Sequence, residues 1–320
     1  MKLRQIGPPL LALTLCGCKA SDSPRAPAGP STAGRLTARI HNSGFELAHD
    51  TYNGLSASGD GKIYYVLSSE KAEVAAQMYS YDPAADKIRH LGDLTEACGE
   101  KALKAVSQGK SHVNFVESNG KLYFATHIGY YSIIDGMEKP GIPPPGYTPY
   151  PGGHFLSYDM SSGRFEDLAI APFREGIISM TMDPRRGRLY GITWPTGYFL
   201  RYDVAGKNLK NFGKISREGE NGKGPAYRTL CRSLVVDPED GSVYFTTGDG
   251  AILRYRFDTD STETIKGEDL KKDYFGLYDP TWPGHIGYNW SQTIWYAPEK
   301  AIYGVHGNSV YLFRFDPRAP

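Results

Sequence analysis

Cysteine is sparse in this 320-residue chain, and net charge is almost absent. The 36 basic and 35 acidic residues leave a formal charge of +1. That lacks the basic excess a phosphate backbone selects, so no nucleic-acid partner is expected. Beyond the N-terminus no apolar run reaches the ~20 residues of a membrane-spanning helix. No Ser-His-Asp order, phosphate-cradling glycine loop or HExxH pair is visible, so none of these motifs places a reaction. Of the four cysteines, Cys16 and Cys18 lie at the N-terminus, leaving Cys98 and Cys231. Export would permit a disulfide between these two; two buried, unpaired thiols are the alternative.

What is present begins with a targeting pattern. Lys2 and Arg4 form a positive stretch, and Leu10 to Leu15 a short apolar one. The segment Leu15-Cys16-Gly17-Cys18 then resembles the lipobox of bacterial lipoproteins. The resemblance implies an exported protein with a signal peptide over 1–17 and lipid on Cys18 holding it to the cell envelope. An ordinary secretory signal that releases a soluble protein is the alternative. Residues 18–34, rich in Ser, Pro, Ala and Gly, read as a flexible tether.

Glycine (37), proline (22) and tyrosine (23) suit a turn-rich sheet protein. They are organised as a repeat. Gly61-Lys62-Ile63-Tyr64 recurs as Gly120-Lys121-Leu122-Tyr123, Gly187-Arg188-Leu189-Tyr190 and Gly241-Ser242-Val243-Tyr244, with a glycine-less fifth copy, Lys300-Ala301-Ile302-Tyr303. Each precedes an aromatic-Asp turn: Tyr81-Asp82, Tyr158-Asp159, Tyr202-Asp203, Phe257-Asp258 and Phe315-Asp316. Short strands before the first motif and after the second complete four antiparallel strands per unit, which is a propeller blade. The fifth unit ends before its fourth strand, so a strand near Arg35 to Ile40 is expected to close it. The pattern resembles the YVTN, NHL and streptogramin-lyase-like propeller repeats across residues 35–320. That resemblance implies a single all-β propeller of five blades, with six or seven as the alternative, and a monomer.

Aligning the copies on the strand-B tyrosine places Asn53, His112, Ile178, Arg232 and Gln292 at one level of the inner strands. Four of the five are polar where a structural strand would carry Val or Ile. A two-residue turn at Asn119-Gly120 would set His112 opposite His127, and a turn centred on Glu299 would set Gln292 opposite His306. The aromatic loops of the same end offer Tyr131, His154, Trp194 and Trp290 as substrate-binding residues, because aromatic faces stack on sugar rings. A polar channel without function is the bland alternative.

No Asp or Glu occupies the aligned level, which disfavours glycoside hydrolysis by paired carboxylates. His, Arg, Tyr and amides suit β-elimination at a uronate instead: Arg232 grips the carboxylate, Asn53 or Gln292 completes the pocket, His112 or His127 takes the proton, and Tyr131 protonates the leaving oxygen. In residue types this is similar to propeller polysaccharide lyases. Among them the oligogalacturonate lyases imply a divalent metal cofactor, here on His112, His127, Gln292 and His306. The competing expectation is a lipid-anchored binding module for a carbohydrate, another small polar ligand or a protein.

Overall fold

The computed structural model describes residues 38–272, 276–283, 286–306 and 311–318. The chain divides into two units, Met1–Ile40 and His41–Pro320. The expected signal peptide, Cys18 and the expected tether all lie outside the described residues.

The regular structure of the second unit is almost all antiparallel sheet. The first holds β1 (Leu55–Ala57), β2 (Ile63–Leu67), β3 (Gln77–Asp82) and β4 (Lys87–Asp93) in that order. The second orders β5 (Val116–Ser118), β6 (Lys121–Ala125), β9 (His154–Asp159) and β10 (Arg164–Ile170) side by side. Between β6 and β9 the chain leaves this sheet to make a separate hairpin, β7 (Tyr131–Ile134) and β8 (Met137–Pro140). The third sheet runs β11 (Gly176–Asp183), β12 (Arg188–Trp194), β13 (Tyr198–Asp203), β14 (Asn208–Lys214). The fourth runs β15 (Val235–Val236), β16 (Val243–Thr246), β17 (Ala251–Arg256), β18 (Ser261–Asp269). The fifth has three strands among the described residues: β19 (Trp290–Tyr296), β20 (Ala301–His306) and β21 (Leu312–Phe315).

The two repeated motifs work through turn chemistry. The glycine of each Gly-x-x-Tyr copy sits at positive φ, from +62° at Gly187 to +80° at Gly61, where a side chain is disfavoured. In the fifth copy Lys300 adopts φ +52° in that place, so the turn survives without glycine. The aspartates bind the next loop: Asp82 Oδ1 accepts from the amides of Ala84 and Ala85, Asp159 Oδ1 from those of Ser161 and Ser162, and Asp203 Oδ1 from that of Gly206.

Aromatic side chains fill the spaces between successive sheets. Tyr64 meets Tyr158, Phe155 stacks on Tyr202, Phe199 on Phe245, and Tyr244 meets Phe315 edge-on. The first strands are brought together by the same packing. Ser56 of β1 bonds the backbone of Phe115 just before β5, β11 packs beside β15 and β15 beside β19, and Ser233 Oγ lies 2.6 Å from Thr293 Oγ1.

Of the closing strand expected near residues 35–40, residues 35–37 lie outside the described residues; residues 38–40 form no strand, and Ile40 is 95% exposed. Past it the chain follows the first sheet, where its polar groups find partners. His41 packs on Tyr81, Ser43 Oγ lies 2.7 Å from Tyr65 Oη, and the His49 amide donates to the Ser68 carbonyl. The fifth sheet is tied to the fourth by Arg318 instead, whose guanidinium lies 2.6 Å from the buried Asp237 carboxylate and donates to the Lys300 carbonyl. Cys98 and Cys231 are both buried and unpaired.

Candidate binding site at the inner strands

All five aligned residues line one cavity of about 310 Å³. Four of them, Asn53, His112, Arg232 and Gln292, also line a second cavity of about 280 Å³ that continues past Ser179, Thr181 and Thr293. These four side chains therefore form a polar partition with a hollow on either side.

His112 and His127 meet as expected, but not by the expected register. Near the turn Ser118 pairs with Lys121, whereas further along it is Lys110 that pairs with His127, exchanging both backbone bonds. Two extra residues are taken up between these pairs, where Ser111 turns its hydroxyl to the Ala125 carbonyl. The bulge swings His112 inward, and its ring reaches His127 edge-on at 4.7 Å between centroids. The other face of His112 stacks on Tyr52 at 4.2 Å.

His127 is sealed in by a glycine. A Cβ at Gly176 would lie 2.1 Å from Nδ1 of His127, and that nitrogen is buried with no hydrogen-bond partner. Burial, then the neighbouring His112, Arg232 and Lys110, hold His127 well below the usual imidazole range. Burial, then the charges of Arg232 and Lys110, push His112 down to about 3 against a smaller opposing pull from Asp50. Both rings are thus neutral across the physiological range.

Lys110 backs this wall. Its ammonium is buried, 4.7 Å from the Tyr52 ring centroid and 5.0 Å from that of Tyr131, and 3.2 Å from a Glu70 oxygen and 3.5 Å from one of Asp50. Tyr131 lines the cavity with its hydroxyl donating to the Ile128 carbonyl at 2.8 Å, and burial holds its phenol well above the ordinary value. Trp194 completes the aromatic side, edge-on to both His127 and Tyr131.

The cavity also contains two carboxylates that the repeat alignment did not reveal, Glu138 and Glu220. The expectation of a site without acids holds only for the strand positions. Glu220 comes from a short 3-10 turn, Gly219–Asn221, after the third sheet, and Glu138 from β8. Both lie in segments outside the repeat. In β8 burial alternates, so Met137 and Lys139 turn inward while Glu138 is exposed at the cavity rim. Glu220 takes the Arg232 guanidinium at 2.8 Å, the Trp194 indole N–H at 2.8 Å and the Leu230 amide at 3.0 Å. Arg232 is thereby held in place and neutralised within the protein.

Three expected residues lie elsewhere. His154, at the start of β9, has Nδ1 2.8 Å from Asp167 and Nε2 3.0 Å from Glu100 and does not line the cavity. Burial opposes its charge, but hydrogen bonds to Asp167, Cys98 and Glu100 prevail and raise it to about 11. Trp290 is fully buried and stacked on Phe313, in the core rather than at the cavity. Gln292 faces Val305, in register with Tyr296 opposite Ala301 at the turn, and beyond a bulge His306 pairs with Trp290, its ring stacked on Tyr278. The expected His112, His127, Gln292 and His306 metal set is therefore not assembled. Among the described residues, His49, Asp50 and Glu70 are the group that brings three ligand atoms within 4.8 Å. The ammonium of Lys110 lies against both of its carboxylates, and this set does not line the cavity.

No protein-family model and no curated protein matches the sequence. Among solved structures, the chain is similar to the extracellular domain of BT4673 from B. thetaiotaomicron, with 14% identity, 82% of this chain and 27% of that one covered, and a TM-score of 0.47. It is similar to an auxiliary nutrient binding protein from Bacteroides thetaiotaomicron, with 12% identity, 85% and 56% covered and a TM-score of 0.44. TolB from Acinetobacter baumannii shows 10% identity, 68% and 43% covered and a TM-score of 0.38. The chain spans less than two thirds of each of these structures.

Proposed function

We propose that residues 41–320 form a five-bladed propeller whose axial cavity binds a small, ring-shaped polar ligand of the carbohydrate class. The fold part rests on five sheets in sequence, each opened by the same glycine-turn and tyrosine motif except for the Lys300 copy, with first strands as neighbours. The observation that carries the function is the cavity's mixed aromatic and polar lining. Tyr52, His112, His127, Tyr131 and Trp194 supply aromatic groups, and Asn53, Gln292, Ser291 and the Arg232–Glu220 pair supply polar ones. Aromatic groups combined with directional donors and acceptors suit a sugar ring, which has apolar faces and hydroxyl edges. About 310 Å³ is at the small end of ligand pockets, compatible with one ring.

Binding without chemistry is the reading best supported. A base must approach the operating pH to be effective, and an imidazole pushed to about 3 is a poor one. The Tyr131 hydroxyl is already donated, and Arg232 already has a carboxylate. β-Elimination at a uronate is the second reading. It is favoured by Arg232, two neutral imidazoles and Tyr131 lining one cavity.

Calorimetric titration with neutral mono- and oligosaccharides tests the first reading. His112→Ala and Gln292→Ala should each weaken binding about tenfold or more, since each removes a lining group. Unchanged affinity in both would refute the site. The second reading stands if uronate-containing polysaccharides yield an ultraviolet-absorbing unsaturated product, measured with and without chelator.

A further inference from the structure

From the charges left over in the cavity, we infer that the ligand carries a positive charge on its ring, as an amino sugar with a free ammonium does. This rests on the binding reading above and assigns the ligand's charge class. The cavity's ionised lining groups are Arg232, Glu138 and Glu220. Arg232 and Glu220 cancel, because they face each other at 2.8 Å. Glu220 is further committed to the Trp194 indole and the Leu230 amide. Glu138 has no ion-pair partner among the described residues.

Among the described residues, the surroundings do not supply a spare cation. Lys110 lies behind Tyr52 and Tyr131 and is matched by Asp50 and Glu70. Lys139, beside Glu138 in sequence, turns inward and gives its ammonium to the Glu220 carbonyl at 2.7 Å. Lys223 pairs with Asp135 at the hairpin tip. His112 and His127 are neutral. An anion entering the cavity thus meets an unmatched carboxylate and a guanidinium already neutralised. A cation meets that carboxylate together with aromatic rings, which attract positive charge through their π faces.

There is a second sign that the hollow is built for an occupant. His127 is 1% exposed and lines the cavity, yet no hydrogen bond is made by its ring to any described residue. A neutral imidazole offers one donor and one acceptor, and burying it unpaired is costly. With Nδ1 walled off by Gly176, the ring's remaining nitrogen is the one an occupant can satisfy.

Three hexoses of one ring size and different charge separate the alternatives: glucosamine, glucose and glucuronate. They are titrated calorimetrically into the full-length protein at low salt and about pH 6, where the amine is protonated. Glucosamine should bind about three- to tenfold more tightly than glucose, the range expected of one partly exposed ion pair plus a cation–π contact. Glucuronate should bind most weakly. Glu138→Gln should bring the glucosamine-to-glucose ratio close to one, and about 0.5 M salt should do the same in the wild type. Glucuronate binding most tightly, or a ratio that survives Glu138→Gln, would overturn the charge assignment while leaving the binding site intact. If none of the three binds, the site reading falls and the inference with it.

Discussion

His154, lodged between the Asp167 and Glu100 carboxylates, should make stability fall with rising pH over a range where most side chains are silent. Its folded value is about 11, against an unfolded value of ~6.5. Because the folded value is raised, the stabilisation is fully present below about 6.5 and is lost as pH rises through the folded value. Between pH 7 and 9 the unfolded chain has released this proton and the folded chain still holds it. The difference is one proton, so stability should drop by about 1.4 kcal/mol per pH unit, or roughly 2.7 kcal/mol over the two units. His112, His127 and His306, all shifted downward, are neutral in both states in this interval, and the raised Cys98 thiol contributes only above its ordinary value near 9. Urea midpoints at several pH values for the wild type and His154→Gln provide the assay. The variant also leaves Glu100 buried without its cation, which costs about 3–5 kcal/mol at neutral pH. Should that prevent folding, Glu100→Gln replaces it and should flatten the slope in part. A wild-type stability level between pH 7 and 9, or a His154→Gln slope parallel to it, would refute a charged His154.

The acid limb should have the opposite sign. His112 and His127 are depressed, so their contribution is present above about 6.5 and is lost as pH falls towards their folded values; the loss should approach ~1.4 kcal/mol per unit for each ring, and His127→Phe should remove one share, read from urea midpoints at pH 4–6. Gly176→Ala puts a methyl group 2.1 Å from His127 Nδ1 and should cost about 1–3 kcal/mol by overpacking while lowering saccharide affinity; a wild-type midpoint and affinity would show that the glycine has no such role. If Cys18 bears lipid, Cys18→Ser should move the protein from the membrane fraction to the soluble exported pool, whereas Cys16→Ser should not; unchanged fractionation of Cys18→Ser would refute the lipobox reading.

The sheets were legible because their turns depend on local chemistry. Glycine at positive φ and an aspartate that bonds the next amides leave marks in sequence, even where Lys300 replaces the glycine. Repeat alignment also brought Asn53, His112, Arg232 and Gln292 to one place, since equivalent positions on equivalent strands share a level. It failed where strand geometry departs from the ideal. The bulge between Ser118 and Lys110 changed the His127 pairing, and in the fifth sheet the turn closes with Tyr296 opposite Ala301 rather than centred on Glu299, which moves Gln292 from His306 to Val305. Glu138 and Glu220 were missed because their segments have no counterpart in other units. His154 and Trp290 carried no local sign that distant partners, Glu100 and Phe313, would claim them.

The hairpin β7–β8 gives the second sheet something the others do not have. It leaves after β6 and returns before β9, and those two strands still pair directly from Lys121 to Ala125. The framework is therefore complete without it, and the hairpin can change in sequence or length at little cost to the sheet beneath. Tyr131 and Glu138 both ride on it. If the cavity binds a ligand, its preference is partly exchangeable: grafting a different hairpin between Tyr130 and Gly141, whose backbones bond at its base, would be a direct route to a new preference on the same body.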